Sequence, residues 1–312
     1  MSSTPAIRSG EHEKRRAALS SVIAAVGLTA IKLVAGLLTG SLGILAEAAH
    51  SALDLVAAAM TLFAVKISDK PADQHHPYGH GKVENLSALF ETLLLLLTCG
   101  WIIYEAIHRL LYHSIEVQAT SWAFIVMGIS IVVDISRSRM LSRTAKKYHS
   151  QALEADALHF STDVWSSSVV ILGLVCVKAG SWFPKYSWLR EADAVAALLV
   201  AAIVVYVAIR LGIRTIEALI DAAPPGLVEK ITGMVESLPQ VHDCHHVRIR
   251  RAGPQLFIDI HITVDGGQSL TEAHDLTEKV EKTIQAMLPE SDITVHPEPD
   301  ADQADNQSPR RP

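Results

Sequence analysis

The sequence predicts an all-α bundle of six transmembrane helices followed by a small cytoplasmic α+β domain of order αββαβ. Three observations lead there. Hydrophobic residues make up 49% of the chain but aromatics only 5%, so the apolar content is Ala, Leu, Ile and Val, gathered in long runs ahead of residue 220. Mean hydropathy is +0.27, high for a soluble chain. A break at Ala222-Ala223-Pro224-Pro225-Gly226 ends the last run, and shorter amphipathic periods follow it.

A membrane helix needs roughly 20 mostly apolar residues. Segments 17–39, 42–67, 83–111, 121–141, 153–179 and 192–220 meet that need. Thr39-Gly40-Ser41 reads as a tight hairpin between the first two, and Pro184 lies in the connection between the last two. Lys14, Arg15, Arg16, Lys66, Lys70, Lys82, Arg137, Arg139, Arg143, Lys146, Lys147, Arg210 and Arg214 fall on one side. The other side has Arg109, Lys178, Lys185 and Arg190. The positive-inside bias therefore places both termini in the cytoplasm. The expected divisions are a cytoplasmic segment 1–16, a transmembrane domain 17–221, a cytoplasmic domain 222–298 and a disordered tail 299–312.

Behind the break, Leu227, Ile231, Met234, Val235 and Leu238 recur at helical spacing, predicting a helix over 225–238. Two strand-like runs, 241–251 and 255–264, join at Gly253-Pro254. Ser269 and Glu272 form a capping box opening a helix with an apolar stripe of Leu276, Val280, Ile284 and Met287. A short strand, 292–296, closes the domain.

Composition also excludes. A net charge of −6, a pI near 6.2 and the lack of a basic patch argue against nucleic acid as a partner. Cys99, Cys176 and Cys244 are too scattered for a disulfide framework. Cys244 reads as a half-buried strand residue or an extra ligand. The polar start, Met1 to Arg16, lacks the apolar stretch of a signal peptide. No motif calls for an organic cofactor.

Ionisable residues inside a bilayer are costly, so each needs a reason. The second helix carries His50 and Asp54, the fifth His159 and Asp163. Each pair is spaced by four, hence stacked on one helical face. Two imidazoles and two carboxylates converging would suit tetrahedral Zn²⁺. The carboxylates would neutralise a divalent ion, and protons would compete for the empty site. Glu47 and Asp156, one turn before the histidines, read as entrance groups or as solvated ends.

These motifs carry a resemblance over residues 18–298. His50-x-x-x-Asp54, the loop Pro71-Ala-Asp-Gln-His-His-Pro-Tyr-Gly-His-Gly-Lys82, His159-x-x-x-Asp163 and the αββαβ tail resemble the cation diffusion facilitator family. The resemblance implies homodimers that export divalent metal ions from the cytoplasm against protons, with a metallochaperone-like tail. It implies zinc as cargo, since the family's His/Asp quartets go with zinc. Imidazole nitrogen favours zinc over manganese independently. It further implies an accessory metal site on Asp73, His76 and His80, and a binuclear regulatory zinc site on His245, His261, His274 and His296. Glu298 stands where the family often has Asp. From alternation alone, either His245 or His246 could face His261. Lys82 and Asp221 correspond to the salt bridge that interlocks the dimer. The lack of a His-rich insert between helices four and five points to a bacterial inner membrane.

Iron, cobalt or cadmium export is the near alternative, and a membrane-bound sensor or non-transporting partner subunit the farther one. An intramembrane metalloenzyme would need a motif such as His-Glu-x-x-His, which is absent. The expected absence of aromatic residues around the quartet argues against an organic-cation carrier, since such cations favour aromatic cages.

Overall fold

A computed structural model describes residues 5–39, 42–112, 121–182 and 189–300. The chain divides into two compact units, Met1–Ile216 and Glu217–Pro312. The central residues of the Gly40-Ser41 hairpin, Pro184 and the tail from 301 onward lie outside the described residues.

Six helices among the described residues precede the second unit or run to its start: α1 (Pro5–Thr39), α2 (Leu42–Ser68), α3 (Lys82–Tyr112), α4 (Ser121–Tyr148), α5 (Gln151–Trp182) and α6 (Leu189–Leu219). Among the described residues, four stretches are long and apolar enough to cross a membrane: Gly10–Leu38, Glu47–Ser68, Lys82–His108 and Leu198–Leu219. The other two helices are interrupted by ionisable side chains, among them Asp134 and Arg137 on α4 and Asp156, His159 and Asp163 on α5.

Helix α1 starts at Pro5, well before the predicted residue 17. Proline suits a first helical turn, and the charged segment continues the helix because Lys14 finds partners. Its Nζ lies 2.6 Å from Asp69 Oδ1 and 3.1 Å from Glu84 Oε1. Ser68 and Ser150 also donate to Glu84. This network ties α1 to the C-terminal end of α2, the start of α3 and the turn between α4 and α5.

Helix α1 packs on α2 and α4, α4 on α5, and α3 on α5. The apolar seam of α1, α2, α4 and α5 is built from small residues such as Ala17, Ala18, Ala58 and Ala157, closed by Leu141, Leu153 and Phe160. Small residues let backbones approach. Gly36 shows this: a Cβ there would stand 2.8 Å from Leu45 Cδ2 and 3.2 Å from the Leu45 nitrogen.

The second unit contains α7 (Leu227–Glu236), β1 (Asp243–Ala252), β2 (Gln255–Val264), α8 (Leu270–Met287) and β3 (Ser291–Pro299). The sheet order is β1-β2-β3, antiparallel then parallel. Ile231 and Val235 of α7 and Leu276, Val280 and Ile284 of α8 cover one sheet face, meeting Ile249, Ile258, Ile260 and Ile262. Ser269 caps α8 as expected, accepting from the Glu272 amide while Glu272 accepts from the Ser269 amide. Strand β3 outruns its predicted end, and the Asp300 amide still bonds to the Val264 carbonyl. Cys244 belongs to this core at 5% exposure. Burial pushes its thiol up to about 11, which favours the strand-residue reading of Cys244, more deeply buried than expected.

Candidate metal centre

The quartet converges. Helix α2 presents His50 and Asp54 toward α5, which presents His159 and Asp163 back. His159 Nε2 lies 3.1 Å from Asp54 Oδ1 and 3.7 Å from Asp163 Oδ2. His50 Nε2 lies 3.7 Å from Asp163 Oδ1 and 3.9 Å from Asp54 Oδ1. Each imidazole therefore faces both carboxylates, the arrangement that the paired spacings call for. Asp54 and His159 are buried, while His50 and Asp163 are partly open. His50, Asp54 and Asp163 each offer a donor atom within a mutual 4.8 Å.

Sequence reasoning missed the charges around the quartet. Lys32 of α1 is buried and donates to Ser51 Oγ at 2.7 Å and to Glu47 Oε2 at 3.2 Å. Arg137, counted above among cytoplasmic loop charges, is buried inside α4. It donates to Ser21 Oγ at 3.0 Å, and its guanidinium lies 3.4 Å above the Phe160 ring. Phe160 adjoins His159, so the quartet does have an aromatic neighbour, already engaged by Arg137. Asp156 is fully buried and accepts from Ser21 Oγ at 3.2 Å, which overturns its reading as a solvated end. Ala25, Leu28, Ser51, Asp54, Asp134 and Arg137 line one small cavity. The available signal was the lone charge within an apolar run, as in Ala30-Ile31-Lys32-Leu33-Val34 and Val132-Val133-Asp134-Ile135.

In the loop between α2 and α3, Asp73, His76 and His80 form a three-donor cluster. Asp73 Oδ1 accepts from the His76 and His75 amides at 2.7 and 2.9 Å. The His76 amide is the main reason that the Asp73 carboxyl is held below its usual range. His76 Nδ1 and His80 Nε2 lie 3.2 and 3.4 Å from Asp73. His80 Nδ1 is buried without a partner. Two imidazole nitrogens and one carboxylate make a donor set that fits a zinc-like ion.

In the second unit, His245, His261 and His296 stand across from one another on β1, β2 and β3. Glu298 binds them together: Oε1 lies 2.7 Å from His261 Nδ1 and Oε2 lies 3.3 Å from His245 Nε2. The His261 hydrogen bond keeps Glu298 below the usual carboxylate range. The choice between His245 and His246 dissolves at a bulge. The register slips between His245 and Arg248, His246 has φ 50° and both imidazoles neighbour His261. His274 is not brought to this cluster. It is exposed on α8, 3.7 Å from Glu278. Lys82 opens α3, and Asp221 follows α6 with φ 64°.

A family model described as the cation efflux transmembrane domain matches residues 18–220, and one for the cation efflux protein cytoplasmic domain matches residues 223–300. The chain belongs to the cation diffusion facilitator family of metal transporters. Cation-efflux pump FieF of Cronobacter sakazakii is 32% identical over 285 residues, covering 91% of this chain and 92% of that relative. The same-named pump of Yersinia enterocolitica is 33% identical over 291 residues, covering 92% and 93%. A metal-bound C-terminal domain of the CzcD transporter from Thermotoga maritima is 42% identical over 23% of this chain and 84% of its own, with a TM-score of 0.22. As a family member the chain is an integral membrane cation-efflux transporter rather than an enzyme, with a cytoplasmic C-terminal domain.

Proposed function

We propose that this transporter exports Zn²⁺ from the cytoplasm in exchange for protons, with His50, Asp54, His159 and Asp163 as the transport site. The observation that carries this is the crossed geometry of the quartet, in which His159 Nε2 lies 3.1 Å from Asp54 and 3.7 Å from Asp163. Two imidazole nitrogens and two carboxylates suit zinc better than manganese. Iron, cobalt and cadmium are the competing cargoes. The ligands must shed protons to bind metal, so metal and protons exclude each other at one site. Exchange follows from that exclusion once the bundle alternates its openings.

Both termini face the cytoplasm of a bacterial cell in this reading. Removing the buried Arg137 from the count leaves Arg139, Arg143, Lys146 and Lys147 on that side, so the positive-inside bias persists. The protein works as a homodimer with Lys82 and Asp221 at the interlock. Asp73, His76 and His80 would hold an accessory zinc near the entrance. His245, His261, His296 and Glu298, joined by His246, would hold regulatory zinc in the tail. His274 stands apart within one chain, so it reaches that cluster only from a second copy.

The test is uptake into proteoliposomes under an imposed pH gradient, with Zn²⁺, Fe²⁺, Co²⁺, Cd²⁺ and Mn²⁺ compared. Zinc uptake is expected to lead the panel and to vanish in Asp54→Ala and Asp163→Ala. Undiminished uptake in either variant would remove the quartet from the mechanism.

A further inference from the structure

Lys32 is a buried cation that the exchange chemistry of the quartet does not use. Its side chain is 7% exposed, and its partner Glu47 is 50% exposed. Burying an ammonium within a membrane helix is expensive unless something is gained. A structural tie between α1 and α2 has a cheaper form one turn earlier, where Thr29 Oγ1 donates to the Ser51 carbonyl at 3.0 Å.

Position supplies the reason. Glu47, His50, Ser51 and Asp54 lie three, four and seven residues apart from the first, hence on one face of α2. The metal-binding face thus continues one turn past His50 toward the α1–α2 connection, and Lys32 Nζ closes it over Ser51 and Glu47. Gly36, one turn beyond Lys32, permits the contact with Leu45 that holds the two helices together there. The Lys14–Asp69–Glu84 network closes the opposite end of α1 and α2.

We propose that Lys32 is a positioning residue for metal release, its ammonium and the departing divalent cation taking turns on the Glu47 carboxylate. With the ion in the quartet, Lys32 holds Glu47 and keeps a positive charge across the outer path. When that end opens, Glu47 swings from the ammonium to the ion and offers it a first ligand outside the quartet. The returning ammonium then repels the ion outward and re-seals the path. This inference rests on the quartet as transport site.

The test uses the full chain in liposomes holding a fluorescent zinc indicator, with Zn²⁺ as the probe and Asp54→Ala as reference. In Lys32→Met, kcat is expected to fall roughly ten-fold while KM moves less than about three-fold, the signature of a lost step after binding. Lys32→Arg should keep most of the rate. Glu47→Gln should also slow turnover, and the double variant should be no slower than Lys32→Met, because both act on one event. The swapped pair Lys32→Glu with Glu47→Lys should recover rate above Lys32→Met. Turnover within about two-fold of the parent in Lys32→Met, or additive losses in the double variant, would overturn the proposal. If Lys32→Met does not fold, Glu47→Gln decides through the same split of kcat and KM. Retained transport in Asp54→Ala would instead strike at the transport site itself.

Discussion

Cys244 and His245 are neighbours in sequence with opposite fates. The pleat sends Cys244 into the core at 5% exposure and His245 toward His261 and Glu298. A thiol raised to about 11 by burial holds almost no thiolate near neutral pH. Cys244 should therefore resist maleimide in the folded protein and react fully in denaturant, read by mass spectrometry. Rapid labelling under native conditions would contradict its place in the core. Strand alternation made one of these residues an inward candidate from the sequence. It could not rank His245 against His246, because the bulge lets both reach His261 at the expense of a φ of 50° at His246. Backbone strain of that kind leaves no mark in a pattern of apolar and polar residues.

At the scale of elements, boundaries were legible where local chemistry sets them. Strand β2 matches its predicted ends because Gly253-Pro254 and Asp265-Gly266-Gly267 bracket it. Helix α8 begins where its capping box requires. Boundaries set by distant partners were not legible. Lys14 looks like a flanking charge in sequence, yet its side chain is 5% exposed against an Asp69 at 2% and a Glu84 at 0%. Removing one member leaves uncompensated buried charge, which costs about 3–5 kcal/mol. Lys14→Met should accordingly lower the melting temperature of the detergent-solubilised protein by several degrees, whereas Lys66→Met, at an exposed position, should leave it close to the parent. Equal melting temperatures in the two variants would show that the network contributes nothing net. The quartet was legible because both of its helices repeat one spacing. The partners of Lys32, Arg137 and Asp156 were not, since each depends on which helix lies alongside, even where a lone charge in an apolar run marks the residue itself.

For the whole molecule, each of the two compact units carries its own candidate metal-ligand clusters, and their donor sets differ. The quartet has two carboxylates shared by two imidazoles, while in the tail Glu298 alone reaches His245, His261 and His296, with Asp243 on the other nitrogen of His245. The His261 contact holds Glu298 below the usual carboxylate range, and metal binding requires deprotonated ligands throughout. Zinc bound there should be lost as pH falls, and Glu298→Gln should weaken binding at every pH without moving the midpoint of that loss toward acid. Equilibrium zinc titrations of the full chain in detergent can separate the clusters. His261→Ala should delete one class of sites and Asp54→Ala another, with the two losses adding as expected for ligands in separate units. If His261→Ala removed no bound zinc while Asp54→Ala did, the tail histidines would be reduced to a strand-edge cluster held by Glu298. Losses that failed to add would mean that metal in one unit alters affinity in the other, a coupling free energy that would have to be reciprocal between the two sites.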